Sequence, residues 1–315
     1  MYQFIEIKLM NCEEAVSLCE QEYIAQQQRN KSMPQWNQEM GKSLRGIIEY
    51  AQNAAYGKAI LYEGKLTGFL AFFGPWDGFH GVARGVFSPL GASAFGGEDR
   101  GKTASLLVAA VAEELVKEKI FSIAMSRYAG DEEVNRSLCF NSFGIRCFDA
   151  VMLLEEYEFS RKNQELHIIE LKGDENIQIK SLYAELIKHL AKGPCFFPTP
   201  VGQLDRWFEN TESRVIAAKC GNQVVGYMAL DENAENFLTE RKDMYNICGA
   251  FVLEEYRALG VAKQILDTIV EICIKEGKSY LGVDYETMNP TALRFWTKYF
   301  EPYTYSFIRR IDERI

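Results

Sequence analysis

Two stretches of the chain, residues 59–71 and 215–229, carry one pattern: an alternating apolar run, a turn built on Gly64 or Gly221, and a second alternating run. Period-two alternation around a glycine turn predicts a β-hairpin in each. Ile179, Leu182, Leu186 and Leu190 recur at helical spacing, and Gly193-Pro194 supplies a C-cap glycine followed by a breaker. An apolar run ending at Leu253 predicts a strand. A short polar turn follows, and from about Gly260 the period becomes helical, with Ile265, Leu266, Ile269, Val270, Ile272 and Cys273 on one broad face and Gly277 at its end. Residues 280–286 predict another strand. Asn289-Pro290 then opens a last helix, with Asn at the N-cap and Pro at the first helical position.

The two halves share this plan. Gly68 and Gly226 are 158 positions apart, Arg100 and Arg257 157, and Phe143 and Phe300 157. Three landmarks at one offset predict a duplicated domain. Each copy reads as strand, helix pair, hairpin, long strand, turn, helix, strand, helix, strand. The expected domains are 1–158 and 166–315, joined by the polar stretch 156–164.

Composition narrows the class. The 315 residues are 47% hydrophobic and 25% charged, which suits a soluble chain with real cores. A net charge of −9 disfavours nucleic-acid or anionic-membrane partners and weakly favours cationic acceptors such as amines. The first eight residues lack a basic region leading into an apolar run, and no stretch of eighteen apolar residues occurs, so neither a signal peptide nor a membrane span is expected. Eight scattered cysteines without a C-x-x-C pair predict mostly buried, reduced thiols in a cytoplasmic protein and no metal site. His80, His167 and His189 do not pair at ligand spacing.

The most informative chemistry lies at the turn after Leu253, which carries Arg257-x-x-Gly260-x-Ala262. A strand delivering the chain into a small-residue loop at a helix start presents unpartnered backbone N–H groups and the positive end of a helix dipole, which favour a phosphate. Gly260 and Ala262 allow close backbone approach, and Arg257 adds charge. The same arrangement occurs in α/β proteins that bind nothing there.

This turn resembles the pyrophosphate-binding signature R/Q-x-x-G-x-G/A of the GNAT superfamily of acyl-CoA-dependent N-acetyltransferases. Asn289-x-x-Ala292 followed by aromatic residues resembles the family's second signature. The resemblance covers the second half closely and the first half loosely. It implies an α/β (α+β) fold of two GNAT-like acyl-CoA N-acyltransferase domains in tandem, each a mixed, mostly antiparallel sheet flanked by helices. Acetyl-CoA is the implied co-substrate. Its pyrophosphate would lie on Leu259, Gly260, Val261, Ala262 and Lys263 with Arg257. Its pantetheine arm would run along Ala250, Phe251 and Val252, with Asn289 and Ala292 near the thiol. A backbone N–H near Phe251 or Val252 would face the developing oxyanion.

The proton carriers are less defined. The family often places a Tyr seven residues after the Asn289 position, where this chain has Trp296. Tyr299 and Tyr285 are the nearby phenols. Asp284 and Glu286 fall on one face of their strand and are candidate bases, although a solvated strand-end carboxylate reads equally well. Cys248 suggests an acyl-enzyme route, against which stands the commoner buried strand cysteine. Phe196 and Phe197 are lid candidates. In the first half, Thr103 and Ser105 replace Gly260 and Ala262, Pro89, Gly91, Gly96 and Gly97 break the preceding strand, and no Asn-Pro opening follows Tyr128. That half is expected to be a divergent lobe.

The sequence therefore predicts an N-acetyltransferase acting on an amine of a small molecule, peptide or protein, with Asp284, Glu286 and Tyr299 as candidate catalytic residues and a monomer or homodimer as its state. A non-catalytic acyl-CoA-binding or interaction protein that keeps the fold is the alternative, favoured by Trp296.

Overall fold

The structure, a computed structural model, describes every residue except 1, 80–82, 162–163, 198–201, 203–204, 206, 209–212, 233–235 and 312–315. It divides into two compact units, Met1–Asp149 with Asn236–Leu238 and Pro302–Ile315, and Ala150–Glu235 with Thr239–Glu301. No helix among the described residues is long and apolar enough to cross a membrane.

Unit 1 begins with β1 (Tyr2–Glu6), α1 (Cys12–Arg29) and α2 (Gln38–Gln52). The predicted hairpin follows as β2 (Tyr56–Tyr62) and β3 (Lys65–Trp76). The glycine- and proline-broken strand is observed as two pieces, β4 (Gly85–Ser88) and β5 (Ser93–Phe95). Then come α3 (Arg100–Lys117), β6 (Ser122–Tyr128), α4 (Glu132–Phe140) and β7 (Gly144–Leu153), within which the chain leaves unit 1. β1, β2, β3 and β4 are antiparallel neighbours, and β4 lies parallel to β6. The core gathers Leu70, Phe72, Phe95, Leu107, Val111, Ile123 and Leu138 between the sheet and helix α3. Each such side chain withdrawn from water contributes about 1.5–3 kcal/mol before entropy is subtracted.

One strand departs from the sequence plan. β13 (Glu301–Arg310), expected to close the second domain, pairs antiparallel with β6 of unit 1 from Thr304↔Tyr128 to Arg310↔Ser122. The pairing places Phe307 in the unit 1 core, fully buried.

Unit 2 is built from β8 (Leu166–Leu171), α5 (Lys180–Ala191), β9 (Arg214–Cys220), β10 (Gln223–Asp231), β11 (Met244–Val252), α6 (Val261–Lys275), β12 (Tyr280–Glu286) and α7 (Pro290–Trp296). β8 to β11 are antiparallel in sequence order, and β11 runs parallel to β12. Leu182 and Tyr183 of α5 pack on Val215, Ala217, Tyr227 and Ala229 of one sheet face. Gly226 looks the other way: a Cβ there would sit 3.1 Å from Val261 Cγ1 of α6 and 2.9 Å from Val252 Cγ2. The two helices therefore cover opposite faces, and Gly226 lets α6 close onto the sheet.

The expected linker is not a free tether. Ser160 and Tyr157 both hydrogen-bond Asp267 of α6, Tyr157 Oη donating at 2.8 Å. The cysteine expectation also needs correction, since only Cys19 and Cys273 are buried and Cys139 and Cys248 are exposed. Scattered cysteines carry no burial signal once strands alternate faces and bulges re-aim side chains.

Candidate functional site

The parallel ladder between β11 and β12 is short, from Met244↔Tyr280 to Ile247↔Val283, although the strands continue to Val252 and Glu286. Its end coincides with a bulge. On the β10 side, Leu230 faces Ile247 and Ala229 faces Gly249, so Cys248 is the extra residue. A bulge kinks its strand and increases the local twist, and here it splays β11 from β12 over Cys248–Val252.

Beyond Val252 the chain turns into α6. Ala258 and Gly260 both take positive φ, 62° and 84°. Gly260 is the N-cap residue, and no side chain caps the helix. A Cβ at Gly260 would meet nothing within 4 Å, so backbone conformation rather than space requires glycine. Arg257 anchors the turn, its Nε donating to Val252 O at 3.1 Å and its guanidinium lying 5.4 Å from the Phe251 ring centre.

The splay and the α6 N-terminus open into one cleft of about 480 Å³. Ala250, Phe251, Val252, Arg257, Gly260, Val261, Ala262, Lys263, Asn289, Ala292 and Tyr299 line it. Leu259, 59% exposed, does not line it. Asp284 and Glu286 alternate with buried Val283 and Tyr285, and both also lie outside the described cleft walls. Phe196 and Phe197 are not among those walls, and Pro198, Thr199 and Pro200 lie outside the described residues.

Four cations, Arg257, Lys263, Arg294 and Lys298, stand in the described lining and no carboxylate does. In a chain of net charge −9 this is a local reversal of sign that suits a polyanion. Sequence reasoning missed Arg294, Lys298, His189 and Tyr227, because only the tertiary fold brings α5, β10 and α7 around the turn. The one available signal was the run of basic residues at positions 294 and 298 on the Asn-Pro helix and its extension.

Lys263 is already engaged. Its Nζ contacts Asp267 Oδ1 at 2.5 Å, Tyr157 Oη at 2.8 Å and Glu158 O at 2.9 Å. Burial pushes the Asp267 carboxyl up, but hydrogen bonds from Lys263, Ser160 and Tyr157 outweigh it and hold the group below its ordinary 3.8. A depressed carboxyl stabilises the fold above the unfolded value, and that stability is lost as pH falls through the folded value. Asp267→Asn is accordingly expected to lower the urea midpoint at pH 7, with the gap to the parent closing as pH drops below 3.8. A gap constant across that range would refute the account.

Cys248, though exposed at the bulge, is flanked closely enough by protein that desolvation pushes its thiol up to about 11. Its Sγ donates to Ala229 O at 3.7 Å. Trp296, 5% exposed, lines the cleft and packs edge-on against Phe295 and Phe300. Burial likewise raises the Tyr299 phenol.

The matching place in unit 1 is filled by the chain's own carboxylates. Asp99 caps α3 by accepting from Lys102 N at 2.8 Å, and Glu133 Oε1 accepts from Gly101 N at 3.1 Å. Arg100 nevertheless repeats the Arg257 anchor, its Nε donating to Phe95 O at 2.7 Å. Asp131, 158 positions before Asn289, binds Arg100 at 2.7 Å and Arg127 at 3.4 Å. Glu22, buried like Arg127 and Asp131, completes this quartet, receiving Arg127 at 2.9 Å and the half-buried Arg100 at 3.0 Å. A phosphate at the α3 start would meet two carboxylates where α6 offers none.

Residues 180–301 match the family model described as the acetyltransferase (GNAT) family. Among solved structures the chain is similar to a GCN5-related N-acetyltransferase from Sphaerobacter thermophilus, at 11% identity and TM-score 0.63, over 98% of this chain and 96% of that one. It is also similar to a tandem GNAT protein from the clavulanic acid biosynthesis pathway, at 11% identity and TM-score 0.52, over 99% of both chains. A third is a GCN5-related glucosamine N-acetyltransferase region of a fungal multi-domain GH3 β-N-acetylglucosaminidase, at 13% identity and TM-score 0.56, over 98% of this chain and 38% of that one. No curated protein matches the chain. At these identities the structural likeness is one of fold. The family match is confined to residues 180–301, and over the whole chain the likeness to these proteins, a tandem GNAT protein among them, is one of fold.

Proposed function

We propose that unit 2 is an acetyl-CoA-dependent N-acetyltransferase that passes the acetyl group directly to an amine in a ternary complex. The observation that carries this reading is the uncapped α6 start at Gly260, set in a cleft with four cations and no carboxylate among its described walls. Backbone N–H groups and the helix dipole there suit a pyrophosphate, and Arg257 stands at the turn that leads into it. Lys263 is spent on Asp267 and shapes the turn more than it binds. The pantetheine arm fits the splayed edge of Ala250, Phe251 and Val252, and Asn289 and Ala292 flank its thiol end.

Catalysis then rests on positioning and proton movement. The amine nitrogen forms the C–N bond, the C–S bond breaks, and the departing sulfur takes a proton, for which Tyr299 is our candidate donor. Asp284 and Glu286 stand near the splay without lining the cleft, which makes them weaker candidates for the base. Cys248 supports direct transfer, since burial pushes its thiol up to about 11 and so disfavours the nucleophilic thiolate. Cys248→Ala is expected to keep turnover within about threefold, and intact-mass measurement after mixing with acetyl-CoA should show no acetyl adduct on the parent. An adduct lost in the variant would instead establish an acyl-enzyme.

The test of the reading is calorimetric titration of acetyl-CoA followed by a thiol-release screen against amines, glucosamine among them because one structural neighbour carries such a region. One equivalent bound and turnover with an amine support it. Binding without turnover would favour the second reading, a non-catalytic acyl-CoA-binding protein, whose supporting observation is Trp296 in place of a phenol.

A further inference from the structure

We propose that His189 accepts the amine proton in this transfer, held in one tautomer by Asn289, and that the amine docks on the α5 face of the cleft; this rests on the acetyltransferase reading above. The cleft reaches both faces of the sheet. Val261 at the α6 start lies on one side, while Tyr227 and Phe251, directly opposite each other in the β10–β11 ladder, face α5. A molecule anchored at the α6 N-terminus reaches the α5 face by passing the unladdered stretch of β11. His189 projects from α5 into that end, its ring centre 6.5 Å from that of Phe251.

Elimination narrows the proton acceptor. The other ionisable residues of the described lining are arginines, lysines and tyrosines, and no carboxylate stands among them. His189 is the imidazole among them, the side-chain type most often used as a general base.

The tautomer follows from hydrogen bonding. Asn289 Oδ1 accepts from Ala292 N at 3.3 Å and Thr291 Oγ1 at 2.7 Å, which identifies it as the oxygen of the amide. His189 Nε2 lies 3.3 Å from the same atom and must be the donor. The neutral ring then carries its lone pair on Nδ1. Asn289 is thus a positioning residue as well as a helix cap.

A second observation points to a ligand on this face. Tyr227 is 1% exposed, lines the cleft, and its hydroxyl has no hydrogen-bond partner among the described residues. A buried hydroxyl left without a partner is costly unless something satisfies it. A polar group of the acceptor or of the acyl unit can do so. Leu186 and Phe251 make the surrounding wall apolar, and no carboxylate of the described lining waits for a second ammonium. The fitting acceptor is a monoamine with an apolar or aromatic body.

The amine proton passes to Nδ1 as the C–N bond forms and the C–S bond breaks. The sulfur takes its proton from Tyr299, and both side chains return to their starting states by exchange with solvent. Gln at 189 can keep the donor to Asn289 but supplies no base.

Two measurements test this. Nitrogen-15 NMR of the labelled protein, with the His189 signals assigned by loss in His189→Gln, should show a neutral ring protonated at Nε2; the opposite tautomer would overturn the proposal. Thiol release from acetyl-CoA with 2-phenylethylamine, and with spermidine as contrast, should be faster for the monoamine. His189→Gln should lose roughly 10²–10⁴-fold in kcat/KM and the acidic limb of its pH profile, at unchanged acetyl-CoA affinity. Added imidazole should restore part of the rate to His189→Ala. A Gln variant within threefold of the parent, with the same profile, would sink the His189 assignment and leave the acetyltransferase reading standing, whereas a parent that turns over no amine would sink both. Preference for spermidine would overturn the acceptor class.

Discussion

Gly260→Glu is expected to abolish acetyl-CoA binding while leaving the protein folded. At φ 84° a side-chain-bearing residue costs about 1–2 kcal/mol. That is a fraction of the roughly 5–15 kcal/mol that holds a domain together. The new Cβ meets no neighbour, and a carboxylate at a helix N-terminus returns some of the loss through the helix dipole. The same carboxylate would occupy the N–H groups proposed for the pyrophosphate, as Asp99 and Glu133 already do at the start of α3. A loss of at least about a hundredfold in affinity, about 2.8 kcal/mol, is expected by calorimetry. The parent should bind a single equivalent. Parent-like affinity in the variant, or a second equivalent that survives it, would move the binding site to unit 1.

The largest loss of stability is expected from Arg127→Met. Arg127 is fully buried and donates to Ser93 O at 2.8 Å and to both Glu22 oxygens at 2.9 Å, with its guanidinium 4.6 Å from the Phe95 ring centre. Removing it leaves the buried carboxylates of Glu22 and Asp131 to share Arg100, which is itself partly exposed. Breaking such a buried pair from one side costs about 3–5 kcal/mol, most of it the uncompensated charge. Adding Glu22→Gln to Arg127→Met should recover part of that loss, because it removes one stranded charge. Urea unfolding of the three proteins measures this. A loss under about 1 kcal/mol in the single variant would mean the quartet contributes little to stability.

The local sequence announced much of unit 2. Ile179, Leu182, Leu186 and Leu190 placed α5, Asn289-Pro290 placed the start of α7, and residues 280–286 coincide with β12. These readings succeed because capping, proline geometry and apolar period act within a few residues of one another. The turn we propose for the phosphate could be singled out for the same reason, since Gly260 and its neighbours are consecutive. His189 and Tyr227 were not: each looks like an ordinary member of its own element until α5 and β10 are folded around β11. Arg127 was illegible too, because its partners Glu22, Ser93 and Asp131 are scattered over more than a hundred positions.

By itself the sequence determined the duplication, the strand–turn–helix at Gly260 and the divergence of the first copy, all written in contiguous residues or in one repeated offset. Only the tertiary structure decided three further matters. It sends β13 to pair with β6, because any strand of suitable pattern can satisfy an open edge and pairing leaves no mark on local sequence. It fills the unit 1 counterpart of the cleft with Asp99, Glu133 and the Arg127 quartet. It also joins His189, Asn289 and Tyr227 around the splay, where side chains distant in the chain meet only after the sheet has formed.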